Sequence, residues 1–245
     1  MGHFRTAALS LSVAFAALSA TAIESHAAGL QVSPILVELP PGNRASTITL
    51  NNSSTDEINA QIRVFKWVQF NGADQLVPTR DVVASPPAAK IPGHGTNVIR
   101  IVRLSKAPVA SEETYRLKID EVPKLAHVRQ AGVTFAISYS LPVFFTPAGQ
   151  TPALAWTATV SKGVLKLEAM NTGGRRARIA NLKIANGVKS AIIAPGLAGY
   201  VLSQSKKDWL IKGGSKIAKP GDTIKIVATS EAGPFEATAH VEAAN

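Results

Sequence analysis

Five histidines, no cysteine and sixteen carboxylates are the side chains from which catalysis or metal binding would have to be built. His3 and His26 fall in the first 28 residues. His94, His127 and His240 are far apart and have no metal-ligand spacing, and without cysteine a zinc site has little to draw on. No GxSxG elbow, phosphate-binding P-loop or GxGxxG turn occurs. Asp120 and Glu121 are adjacent carboxylates. Neighbours in a strand point to opposite faces, so the pair reads as a strand end rather than an acid/base couple. These residues predict no catalytic site, no metal site and no cofactor.

The chemistry that remains is non-covalent, and it concentrates in Val133 to Pro147, VTFAISYSLPVFFTP. Val133, Phe135, Ile137, Tyr139, Leu141, Val143 and Phe145 take every odd position. Period-two alternation predicts a long β-strand with one apolar face. Pro142 cannot donate to a ladder, which marks an edge or a bend. Such a stripe either packs inside its own domain or serves an edge that pairs with another protein's sheet.

The chain of 245 residues must position this strand. Residues 1–28 read as a secretory signal peptide: Arg5, an apolar run from Ala7 to Ala20, and the small-x-small pattern Ser25-His26-Ala27. The expectation is an exported protein without a membrane span. The formal net charge is +10. Residues 28–149 carry 12 basic and 9 acidic groups, and residues 150–245 carry 13 and 6. That surface favours acidic partners. The scatter of the charge argues against nucleic acid.

Short alternating segments separated by turn signals predict an all-β fold. Ser46–Asn51, Ala60–Gln69, Asn97–Leu104 and Glu113–Val122 are examples, and Asn71-Gly72 is a hairpin signal. The pattern restarts after a hinge at residues 146–150, with segments at Ala153–Val160, Val164–Asn171, Ala177–Ala185, Ala191–Ile193, Gly199–Leu202, Asp208–Ile211, Thr223–Thr229 and Ala237–Glu242. Two β-sandwiches follow, over residues 29–147 and 148–245. The halves show no alignable repeat. Trp67 and Tyr115 read as core, Trp156 and Trp209 as the core of the second domain, and Asn51 as a turn or backbone-bonding residue. Arg175-Arg176 and Lys206-Lys207 read as solvated turns.

The order and spacing of several pieces carry a resemblance. They are Val32-Ser33-Pro34, Ile48-Thr49-Leu50-Asn51, Ala84-Ser85-Pro86-Pro87, Ile91-Pro92-Gly93, Tyr115-Arg116-Leu117 leading to Asp120-Glu121-Val122-Pro123, and Leu141 to Pro147. Ala169 to Gly173 and Gly199 to Leu202 extend it into the second half. The chain resembles the periplasmic PapD-like chaperones of the chaperone–usher pilus pathway, across the whole mature length. The resemblance implies two immunoglobulin-like domains in an L shape, pilus subunits and an outer-membrane usher as partners, and a periplasmic location. It also implies donor-strand complementation, in which the chaperone lends a strand to an incomplete subunit. The donor residues carry over to Val133, Phe135 and Ile137, with Tyr139 and Leu141 continuing the row.

One departure stands out. The family's best-known members hold the subunit's C-terminal carboxylate with a basic pair, and here Leu36 and Pro142 occupy those positions. This resembles the archaic, spore-coat-U-type branch. The candidate replacements are Arg116, Lys118, Arg103 and Arg100. Arg116 and Lys118 share one strand face, opposite Tyr115, Leu117 and Ile119. An exposed stripe also predicts self-association of the free protein. The rival readings are a secreted two-domain adhesin or carbohydrate-binding module, which needs exposed aromatic platforms, and a pilus subunit, against which the second sandwich argues.

Overall fold

The computed structural model describes residues 29–123 and 136–243. Within them are seventeen strands, numbered in chain order. The first sheet runs β1 (Leu30–Ser33), β3 (Ala45–Asn52), β8 (Thr96–Arg103), β6 (Val82–Ser85). The second runs β2 (Val37–Leu39), β10 (Ser138–Phe145), β9 (Glu113–Val122), β4 (Ile58–Phe70), β5 (Ala73–Pro78), with β7 (Ala88–Ile91) also on β4. The third path uses the rest: β14 (Lys189–Val201), β13 (Ala177–Asn186), β16 (Thr223–Ser230), β17 (Gly233–Ala243), β11 (Leu154–Ser161), β12 (Val164–Asn171), β15 (Ser205–Lys212). The result is two immunoglobulin-like domains: the alternation predicts two β-sandwiches, and the resemblance implies this fold for them.

Alternation sorts the side chains. Ile48, Leu50, Ile99 and Ile101 face inward from the first sheet. Tyr115, Leu117, Ile119, Val143 and Phe145 meet them from the second. The second domain buries Leu165, Leu167, Ile179, Leu182, Ile224 and Ile226 in a separate core. Trp156 and Trp209 stack beside that core with ring centres 5.7 Å apart. Asn71 and Gly72 form the β4–β5 hairpin turn, both with positive φ, 50° and 76°. That is the conformation an Asn-Gly pair accepts at least cost.

One sequence reading changes. Ala191–Ile193 and Gly199–Val201 are parts of one strand, β14, which continues through Pro195-Gly196 by register shifts against β13, and Leu202 lies just past its end. Within the described part of the run from Val133, β10 begins at Ser138. Residues 124–135, with Val133 and Phe135, lie outside the described residues, as do residues 1–28.

Candidate functional site

β10 is the central feature of the site. It pairs antiparallel with β9 along its whole length, Ser138 opposite Asp120 through Phe145 opposite Glu113. On its other side it meets β2 only over Val143–Phe145. Among the described residues, the edge from Ser138 to Pro142 has no second neighbour. Its N–H and C=O groups on that side form a ready template for another strand.

The odd residues of this strand face the gap between the sheets. Ile137 is half-buried against the first core, and its N–H donates to Glu121 Oε2 at 3.2 Å. Tyr139 is also half-buried, and its hydroxyl donates to the Leu30 carbonyl at 2.6 Å. Leu141 is only 5% exposed and belongs to the chain's own core, which removes it from the residues free to enter a partner.

Of the even residues, Ser138 and Ser140 are exposed, and Phe144 packs against the second domain. Trp67 from β4 and Phe144 from β10 pack with Tyr200 and Leu202 from the second domain in a small buried cluster. Trp67 meets Tyr200 edge-on at 5.6 Å between centroids. Gln69 fastens the same junction: its Nε2 donates to the Tyr200 carbonyl at 2.7 Å, and Leu202 N–H donates to its Oε1 at 2.9 Å. Trp67 is thus buried, as the sequence reading has it, but between domains rather than in a sandwich core.

Arg116 lies over this cluster. Its guanidinium carbon is 3.7 Å from the Trp67 ring centre, and its Nη1 donates a long bond, 3.4 Å, to the Ser140 carbonyl. Burial lowers its pKa, with Asp74 the leading charge opposing that shift. Among the described residues no carboxylate lies within ion-pair distance of it. Arg116 is the direct cross-strand partner of Pro142. Val37 is partnered by Val143, so Leu36 and Pro142 are the next positions back on their strands. The cation therefore stands one strand over from Pro142 and two from Leu36, the positions where the charges of the resemblance are missing.

The other candidates divide. Lys118 shares the face of Arg116 and donates to Ser138 Oγ at 3.2 Å. Arg100 is exposed on β8, in the opposite sheet. Arg103 is 4% exposed and paired within its own domain. It holds Glu113 with two bonds, at 2.8 and 2.6 Å, and donates to the carbonyls of Ser105 and Ala107. Four of its five N–H donors are spent inside the first domain, and they secure the loop before β9.

The Arg103 pair has a pH consequence. Its hydrogen bond holds the Glu113 carboxyl below the usual value of 4.5, against the opposing effect of burial. A depressed carboxylate adds stability above its unfolded pKa, and that stability is lost as pH falls through the folded value. Glu113→Gln is expected to destabilise at pH 7 and to cost little at pH 3. Urea midpoints across that range check this, and a pH-independent cost would remove the assignment.

The sequence reading missed the strongest polar group at the junction. Arg175-Arg176 is not a solvated turn. Arg176 is fully buried, and its Nη1 donates to Glu112 Oε1 at 2.6 Å. Its Nη2 donates to Glu38 Oε2 at 2.7 Å and to Glu231 Oε1 at 3.1 Å. The guanidinium carbon sits 3.7 Å over the Phe144 ring. Glu38 and Glu112 belong to the first domain, Arg176 and Glu231 to the second. Arg175 adds a 2.8 Å bond to Glu38, and Lys207 pairs with Asp74 at 2.9 Å. Nothing in the local sequence marks an arginine as buried, because its partners lie 64 and 138 residues away.

Comparison with known proteins now places this geometry. The family profile described as "Pili and flagellar-assembly chaperone, PapD N-terminal domain" matches residues 29–151. A sequence search of curated proteins finds no match. Among solved structures, the CsuC–CsuE chaperone–tip adhesion subunit pre-assembly complex, from archaic chaperone-usher Csu pili of Acinetobacter baumannii, matches with TM-score 0.69 and 26% identity. That match covers 87% of this chain and 99% of the other. The YadV chaperone matches at TM-score 0.61 and 15% identity, covering 86% and 98%. The CupB2 chaperone of Pseudomonas aeruginosa matches at 0.55 and 17%, covering 86% and 100%. On the family match and the fold it shares with these proteins, the chain belongs to the PapD-like family of pilus-assembly chaperones.

Proposed function

We propose that this chaperone works in the periplasm by lending the free edge of β10, together with the residues before it, to an incomplete pilus subunit. The unpaired edge from Ser138 to Pro142 is the observation that carries this reading. A subunit strand aligned there gains main-chain bonds, and alternate apolar side chains enter its groove. The donors are Val133, Phe135 and Ile137, with Tyr139 at the end of the row. Each fully buried side chain contributes roughly 1.5–3 kcal/mol before association costs. Arg116 receives the subunit's C-terminal carboxylate, since a half-buried guanidinium without a carboxylate gains most from a bidentate anion. Lys118 is the second cation on that face. An incoming subunit's extension then displaces the chaperone strand at an outer-membrane usher. The domain boundary falls at residues 147 and 148, and in the free protein the stripe associates with a second copy.

Co-expression with pilin-like subunits, followed by co-purification, tests this. Wild type is expected to yield a soluble one-to-one complex, and Phe135→Asp/Ile137→Asp none. Arg116→Ala is expected to weaken the complex by about 2 kcal/mol, roughly 30-fold. Arg100→Ala on the opposite sheet should leave it unchanged. A complex indifferent to the two aspartates would end the donor-strand reading.

A further inference from the structure

The second domain is open along one flank. β11 and β17 run parallel but pair only over Ala158–Val160 and Val241–Ala243. Towards the domain junction they part. Leu154 to Thr157 then have a ladder partner only on the β12 side, and Gly233 to Thr238 only on the β16 side. A cleft of about 690 Å³ opens there, with Leu154 and Trp156 from β11 on one wall and Phe235 from β17 on the other. The Trp156 ring lies 6.4 Å from the Phe235 ring and is backed by Trp209 at 5.7 Å.

The charges around the cleft leave one unspent. Glu231 is held by Arg175 and Arg176, and Glu236 by Lys225. Arg178 lines the same cleft, is half-buried, and has no ion-pair partner among the described residues. The uncompensated charge is therefore positive, beside an aromatic pair and between two strand edges without neighbours. Free edges select an extended chain over a compact solute, because only a backbone can satisfy a row of N–H and C=O groups. Four residues of β11 offer about 13 Å of edge at ~3.3 Å per residue, the length of one short strand.

We infer that this cleft is a docking slot for an extended acidic–apolar peptide segment of a partner protein. The segment adds along the parted edges of β11 and β17, sets an apolar side chain on Trp156 and Phe235, and gives a carboxylate to Arg178. The slot is separate from the β10 edge in the first domain. Arg176, fully buried, lies just behind the slot, so the occupant sits next to the residue that joins the domains.

The probes are a blocked hexapeptide alternating valine with glutamate, its valine–lysine counterpart, and sodium octanoate. Each is titrated against the full mature chain by tryptophan fluorescence, with amide hydrogen exchange at saturation. The glutamate peptide is expected to bind saturably and to slow exchange at residues 154–157 and 233–238. Arg178→Glu, with an unchanged melting temperature, should weaken that peptide at least tenfold and reverse the preference towards the lysine peptide. Absence of saturation, protection elsewhere, or a preference unmoved by Arg178→Glu would overturn the inference. So would octanoate binding as well as the peptide without slowing backbone exchange, since that would assign the slot to small amphiphilic anions.

Discussion

Arg176→Ala is expected to uncouple the two domains and to cost about 3–5 kcal/mol, the range for removing one partner of a buried ion pair. The guanidinium is fully buried and reaches three carboxylates, two of them in the other domain. Its loss leaves the Glu112 side chain, itself fully buried, with the Arg176 backbone N–H at 2.9 Å and the Thr146 hydroxyl at 3.2 Å as its bonds. Burial already raises the Glu112 carboxyl above its usual value, and the charge of Arg176 is the largest effect opposing that rise. Without the arginine the folded value climbs further. A carboxyl raised on folding binds more protons in the native state, so the stability of the variant falls as pH rises through that window. The deficit should therefore be largest near pH 7 and shrink towards pH 5. Glu112→Gln in the same background should recover part of it at pH 7. Urea unfolding followed separately in each domain reads this, with one transition in wild type and two in Arg176→Ala. A loss under about 1 kcal/mol with a single transition would mean that the apolar contacts of Trp67, Phe144, Tyr200 and Leu202 suffice to hold the junction.

That junction also marks the limit of what the sequence reveals. Alternation reports how one strand divides between its own core and everything else. In Val133 to Pro147 it identifies Val143 and Phe145 as inward, and they are. It cannot show that Phe144, at an even position, is equally buried, because the second domain covers it from outside. Trp67 is the same case on β4. The hairpin at Asn71-Gly72 is legible because its backbone demands those residue types. The buried network of Arg176, Glu38 and Glu112 is not, since charged side chains far apart in sequence look like solvated surface until the fold joins them. Arg103 shows the same blindness: burial and two hydrogen bonds to Glu113, not residue type, separate it from Arg116. Asn51 and Asn52 differ by one step, and one step changes the face. Asn51 reaches Gln31 at the surface, while the buried polar residue is Asn52.

Asn52→Ala and Asn171→Ala are each expected to destabilise their domain by about 2–4 kcal/mol, because each buried amide bonds several backbone groups at once. Asn52 ends β3 and Asn171 ends β12, both fully buried. The Nδ2 of Asn52 donates to the Asp56 carbonyl at 2.7 Å and to those of Ile91 and Pro92, both at 3.1 Å. The Nδ2 of Asn171 donates to the Arg175 carbonyl at 2.8 Å and to those of Val201 and Leu202 at 3.1 and 3.2 Å. In both, Oδ1 accepts the backbone N–H two residues on, Ser54 at 3.0 Å and Gly173 at 2.9 Å. Two domains without an alignable sequence repeat thus use one device to tie a strand end to a neighbouring turn. Alanine removes the side-chain donor from three carbonyls, of which Ile91 at Asn52 and Val201 and Leu202 at Asn171 are buried. Aspartate is the sharper probe: nearly the same shape, but at neutral pH its carboxylate faces those carbonyls with no hydrogen to give. Asn52→Asp should therefore cost more than Asn52→Ala at pH 7, and the gap should narrow as the pH falls and the side chain regains a proton. The junction gives Asn171 a second readout, because the carbonyl it holds belongs to Arg175, next to Arg176. Asn171→Ala should loosen the coupling of the domains along with the stability of the second, whereas Asn52→Ala should affect the first domain alone. Aspartate tolerated at Asn52 as well as alanine at pH 7 would show that the three carbonyls find other donors, and the device would lose its claim on stability.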